Sequence, residues 1–226
     1  MKKIKFILPI IVILAVTVIL FKVLTPEKTL TPEKISNKSN SNIITNTLLV
    51  NNDNKLDKNY KPINSDIPNI PFIDSSTDEE KQMEEIASKS VEKLFNQAKE
   101  EGIKFLATSA YRSYTSQKEI YTKKVISDGI KKANEYVAKP GTSEHQTGLC
   151  IDVTNEDRWF VGSTKEAIWL AENAHKFGFI IRYPKGKEDV TGKSYEPWHI
   201  RYVGKDIAKE IHINNLTLEE YIARKN

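Results

Sequence analysis

Two short segments far apart in the chain constrain its fold more than any other feature. They are Ser143-Glu144-His145-Gln146-Thr147-Gly148-Leu149-Cys150-Ile151-Asp152 and Glu196-Pro197-Trp198-His199. Together they supply two imidazoles, an aspartate and a neighbouring glutamate, and they contain two of the chain's four histidines. Three protein ligands, an open position for water and a general base beside it make up a catalytic zinc site. A fold that uses these residues in this way must bring the two segments side by side. The chemistry expected is metal-assisted hydrolysis. No HExxH sequence occurs, which excludes the helical zinc site of thermolysin-type proteases.

Bulk composition narrows the partners. The 226 residues carry a net charge of +4 with scattered lysines, no dense basic block and no Gly-rich phosphate loop, so no nucleic acid is expected as partner. A single cysteine, Cys150, excludes an internal disulfide. Lys2, Lys3 and Lys5 precede an apolar run from Phe6 to Phe21, broken only by Pro9 and Thr17 and extended by Val23 and Leu24. That run has the length of a membrane helix, carries its basic flank on the cytoplasmic side and lacks an A-x-A cleavage site. Residues 1–24 therefore read as an uncleaved, single-pass anchor to the cytoplasmic membrane, with the rest of the chain extracytoplasmic. Residues 25–46, polar and repeating Leu-Thr-Pro-Glu-Lys, read as a flexible tether. Residues 47–226 are left as the folded domain.

Within that domain, Thr47 to Ile73 reads as an ordered arm on the surface. Ser75 to Glu80 carries the acids of a helix N-terminus, and Met83, Ala87, Val91, Leu94 and Ala98 recur at helical spacing up to Gly102. A strand is expected over 103–108 and a helix from about Thr115 to Ser127, stopping near Gly129. In the next strand Leu149, Ile151 and Val153 share one face, while Cys150 and Asp152 take the other. A helix after Ser163, strands over 179–183 and 198–203, and helices after Lys205 and Thr217 complete the order. The elements do not alternate strictly. The fold class expected is α+β, with a small central antiparallel sheet flanked by helices and the zinc site in a cleft on that sheet.

A turn at Gly148 allows Asp152 to face His145, and a buried carboxylate there requires a partner that a metal supplies. Pro197 holds Glu196 extended at a strand entrance, and His199 heads the strand. Glu196 can be the base, itself a ligand or an exposed acid; the three-ligand habit of catalytic zinc favours the base.

The paired motifs resemble the SxHxxGxAxD and ExxH signatures of the LAS metallopeptidases, and within them the VanY-like D-alanyl-D-alanine carboxypeptidases. The likeness extends to Ser109-Ala110-Tyr111-Arg112-Ser113 with Gln117, to Pro140-Gly141 and to Leu218-Glu219-Glu220-Tyr221, and covers about Leu48 to Tyr221. It implies that His145, Asp152 and His199 bind Zn2+ and that Glu196 is the catalytic base. Arg112 would stabilise the oxyanion, with Ser143 and Gln117 binding substrate in the cleft. The substrates implied are peptidoglycan stem peptides, and a monomer is expected. Two positions depart from the family: Thr142, where an aromatic is usual, and Cys150, at a position resembling a small alanine. Cys150 is expected as a buried small hydrophobe, its thiolate being an alternative zinc ligand. His175 and His212 are expected to be structural or exposed. Trp159, Trp169 and Trp198 are expected in the core, Trp198 beside the site. Removal of a terminal D-alanine is the leading reading. The alternatives are L,D-carboxypeptidase action on tetrapeptides and a silent zinc module that only binds wall peptides.

Overall fold

The computed structural model describes residues 29–30 and 46–225. Most of the expected anchor and tether lies outside the described residues. Thr29–Leu30 (β1), inside the tether segment, pairs in parallel with Lys55–Leu56 (β2). Among the described residues no helix is long and apolar enough to cross a membrane.

The period-two apolar pattern around Ile151 and Ile200 builds the central sheet. Its strands are Leu106–Ser109 (β5), Cys150–Thr154 (β6), Phe179–Ile181 (β7) and His199–Tyr202 (β8), in the order β5-β6-β8-β7 with all pairs antiparallel. The β6–β8 register sets Ile151 opposite Ile200 and Asp152 opposite His199. Since successive side chains alternate, Ile151 and Ile200 go to the core while Asp152 and His199 share the other face. The two ligand-bearing segments are thus held together by strand pairing.

Helix α1 (Glu85–Glu100) covers the core face with Ala87, Val91, Leu94 and Ala98, and Phe105, Phe160 and Trp169 fill its end. The expected helix start at Ser75 to Glu80 is corrected. Thr77 and Glu80 do make the reciprocal bonds of a capping box, but these close an isolated turn. Met83–Glu84 (β4) is drawn into pairing with Ser65–Asp66 (β3), so α1 begins only at Glu85. Helix α2 runs over Tyr114–Tyr136, and Gly129 breaks it at φ 83°, after which helix resumes. Lys165–Asn173 (α3), Glu188–Thr191 (α4), Lys205–Ile213 (α5) and Leu218–Lys225 (α6) follow. Trp169 and Trp198 pack on the core as expected, whereas Trp159 is 67% exposed.

The arm is more than a surface covering. Leu48, Val50, Leu56 and Tyr60 form a small buried cluster of their own. Gln146 donates to the carbonyls of Asp57 and Tyr60, tying the arm to the histidine-bearing loop.

Candidate metal centre and catalytic cleft

His145 sits on a short 3-10 turn, Glu144–Thr147, that Gly148 ends in the left-handed conformation at φ 69°. A Cβ on Gly148 would stand 2.8 Å from Pro62 Cγ and 3.1 Å from the Glu84 amide nitrogen, so only glycine fits here. That turn drops the chain into β6 and aims His145 at Asp152.

A backbone carbonyl fixes which nitrogen of His145 is free, while both nitrogens of His199 face carboxylates. His145 Nδ1 donates to the Ala110 carbonyl at 2.5 Å, leaving Nε2 as the lone-pair nitrogen. That Nε2 lies 3.4 Å from Asp152 Oδ2. His199 Nδ1 lies 2.7 Å from Asp152 Oδ1, and its Nε2 faces Glu144 Oε2 at 3.4 Å. The three donors His145 Nε2, Asp152 carboxylate and His199 Nδ1 converge, and each histidine is oriented from behind by an oxygen acceptor. Such carboxylate or carbonyl support is the usual companion of zinc-bound histidine. The donor set of two imidazoles and a carboxylate is that of catalytic zinc, so the residues present fit Zn2+.

Cys150 completes a second grouping, since its sulfur lies within 4.8 Å of ligand nitrogens of His145 and His199. It is fully buried and takes no part in lining the cleft, whereas Asp152 and both histidines line it.

Electrostatics tighten the arrangement. Burial alone would raise the Glu144 carboxyl, but the Arg182 and Arg201 guanidiniums outweigh it and hold it well below the usual carboxylate range. Glu144 Oε1 accepts from Arg182 Nε at 2.8 Å and from Arg201 Nη1 at 2.7 Å. Arg182 is also held bidentately by Glu219, and Arg201 donates to the Leu48 carbonyl. Burial by itself would lower the imidazoles; Cys150 and Asp152 reverse this and raise His145 to about 9 in the metal-free protein. Burial pushes the Glu196 carboxyl up, with Asp152 adding to the rise.

One cleft, of about 210 Å³, is lined by all seven residues given a metal-binding, catalytic or substrate-binding role: Arg112, Gln117, Ser143, His145, Asp152, Glu196 and His199. Glu196 arrives differently from the straight strand entrance expected. The His199 amide donates to the Glu196 carbonyl at 3.3 Å, closing a turn with Pro197 at its second position that returns Glu196 toward the ligands. Arg112 donates to Gln117 Oε1 at 3.0 Å and to Ser109 Oγ at 2.9 Å, and its buried Nε has no protein acceptor. Gln117 spends its amide group on Ala138, so both polar ends are committed to protein. The Ser143 side chain makes no hydrogen bond to the described residues.

Sequence reasoning missed Glu144, Arg182, Arg201 and Tyr183. The Tyr183 ring stacks on His199 with centroids 5.2 Å apart. His175 and His212 were expected near helix ends as structural or exposed residues; they stack on each other at 3.8 Å, away from the cleft.

The sequence profile of the VanY family, described as D-alanyl-D-alanine carboxypeptidase, matches residues 80–205. A putative carboxypeptidase of Bacillus subtilis, YodJ, is 45% identical over 181 residues, which are 78% of this chain and 66% of that relative, so the chain spans just under two thirds of it. The LdcB LD-carboxypeptidase structure superposes with a TM-score of 0.73 at 46% identity, covering 77% of this chain and 84% of that one. A vancomycin-resistance D,D-pentapeptidase, VanY from a VanB-type cassette, solved as a mutant with Zn(II), gives a TM-score of 0.67 at 33% identity, covering 79% and 99%. The paired strands that set Asp152 against His199, the supported histidines and these matches agree: the chain belongs to the VanY family of D-alanyl-D-alanine carboxypeptidases.

Proposed function

We propose that the protein is a zinc-dependent carboxypeptidase that removes the C-terminal D-alanine from peptidoglycan stem peptides, held at the cytoplasmic membrane by residues 1–24 with its domain outside and acting as a monomer. The observation that carries the reading is the convergence of His145 Nε2, the Asp152 carboxylate and His199 Nδ1 in one cleft with Glu196 and Arg112.

Bound Zn2+ supplies Lewis acidity, polarising a carbonyl and making water acidic enough to ionise near neutral pH. Glu196, a carboxyl whose affinity for protons burial has raised, takes the proton of the attacking water and returns it to the leaving amine. Arg112 is held rigid by Gln117 and Ser109 and lines the cleft, and each of its Nη atoms keeps a second N–H for the developing oxyanion. Gln117 acts through Arg112 in this reading rather than on substrate, while the free Ser143 hydroxyl is available to substrate.

A second reading, L,D-carboxypeptidase action on tetrapeptides, draws support from the greater likeness to LdcB than to the D,D-pentapeptidase. Mass spectrometry of defined tri-, tetra- and pentapeptide stems incubated with the zinc-loaded full chain separates them. Loss of D-alanine from the pentapeptide supports D,D specificity; loss from the tetrapeptide alone supports L,D. Release from neither stem, with zinc bound, would leave a binding module. Glu196→Ala should keep zinc and lower kcat by about a hundredfold or more. N-terminal sequencing that starts at Met1 supports the anchor, and a start near Thr25 overturns it.

A further inference from the structure

Two cations line the cleft, and they are in different states. Arg112 is committed to Gln117 and Ser109, whereas the half-buried Lys193 ammonium donates to none of the described residues. Lys193 lies three positions before Glu196, on the segment that leads into the Glu196 turn, and Glu196 is the charge that acts on it. A partly desolvated ammonium without an acceptor is incomplete, and a carboxylate is the group that completes it most strongly.

The reaction proposed above locates that carboxylate. Glu196 must come within about 2.6–3.2 Å of the leaving amine to deliver its proton. In a terminal residue the amine nitrogen and the carboxylate carbon share one Cα, about 2.5 Å apart by backbone dimensions. The free carboxylate of the departing residue therefore falls within a side chain's length of Glu196, and Lys193 is the cation on that side without a partner. The cleft is also lined by Ile120, Tyr136, Val137 and Ala138, apolar and aromatic side chains suited to the rest of the peptide.

We propose that Lys193 binds the free C-terminal carboxylate of the residue to be released, and that this contact makes the cleft select peptide ends over internal bonds. The proposal rests on the carboxypeptidase reading for the position of Glu196 relative to the leaving group. It makes Lys193 a specificity residue that touches substrate without taking part in proton transfer.

The test compares the zinc-loaded full chain with Lys193→Gln and Lys193→Arg on a stem pentapeptide and on the same peptide ending in a carboxamide. Hydrolysis and equilibrium binding of D-alanyl-D-alanine and its amide are both followed. A charge-assisted contact predicts that Lys193→Gln weakens binding and raises KM for the acid roughly 10- to 100-fold, leaves the amide unchanged, and is largely rescued by Lys193→Arg. An undiminished preference for the acid in Lys193→Gln overturns the inference, as does an equal loss on acid and amide. A change confined to the acid limb of the pH profile also overturns it, since Lys193 would then act only by tuning Glu196. If the wild type binds the acid over the amide through Lys193 yet hydrolyses no stem, the inference stands and the carboxypeptidase reading falls. If it hydrolyses stems with a Lys193-independent preference, the reverse holds. If it neither binds nor hydrolyses them, both fall.

Discussion

Replacing Glu144 by Gln keeps the side chain's shape and removes its charge from a place with no solvent. Glu144 and Arg201 are both fully buried, and Glu144 Oε1 accepts from Arg182 and Arg201 together. Arg182 keeps Glu219 after the change, but the remaining bonds of Arg201 go only to neutral carbonyls. The variant therefore strands one buried guanidinium, and stranding a buried charge costs about 3–5 kcal/mol. His199 also loses the acceptor at its Nε2, and loss of such support lowers zinc affinity roughly 10- to 100-fold. Urea unfolding of the metal-free chain should show a midpoint lower by about 1–2.5 M at a slope of about 2–3 kcal/mol/M, and chelator competition should give the weakened zinc affinity. A double variant that adds Arg201→Met should recover much of the stability, because the penalty is the unpaired charge rather than a lost contact. A stability loss under about 1 kcal/mol with unchanged zinc affinity would refute the account, since an unpaired buried charge has no cheap alternative.

Three further outcomes are expected. His145→Ala, Asp152→Ala and His199→Ala should each lower bound zinc measured by atomic emission, while Cys150→Ala keeps it; full occupancy in the first three would sink the ligand assignment. Gly148→Ala should destabilise by about 2 kcal/mol or more, from the left-handed backbone and the approach of Pro62 and Glu84, and a variant as stable as wild type in thermal melts would contradict it. Because His145 is raised to about 9 without metal, it carries a proton below that pH, which zinc must displace. Zinc affinity should therefore fall as pH drops from about 9 toward 6, with calorimetry in buffers of different ionisation enthalpy showing proton release; a flat profile would be inconsistent with the raised imidazole.

What the sequence made legible follows from short-range periodicity. Alternation in β6 was enough to put Asp152 and Cys150 opposite Ile151 and Val153, and the two motifs carried the donors. Its failures have a common cause in long-range packing. Glu144 reads as an ordinary acid between Ser143 and His145 until Arg182 and Arg201, from two other strand regions, close over it. The acidic start at Ser75 to Glu80 was a sound local signal, overridden by pairing of β4 with β3. Gly129 was correctly read as a break, but nothing local says that helix resumes to Tyr136. Trp159 was assigned to the core by residue type alone, and type does not report which face a loop presents.

The arm also decides when the site can exist. Arg201 reaches back across 153 positions to the Leu48 carbonyl, and Gln146 across 89 to that of Asp57. Contacts of such separation are slow to form because loop closure precedes any reward from packing. The Leu48 and Asp57 carbonyls that brace Arg201 and Gln146 therefore reach them only once distant parts of the domain have met. A chain cut short in the arm can retain every ligand and still lose the carbonyls that brace Arg201 and Gln146 behind them.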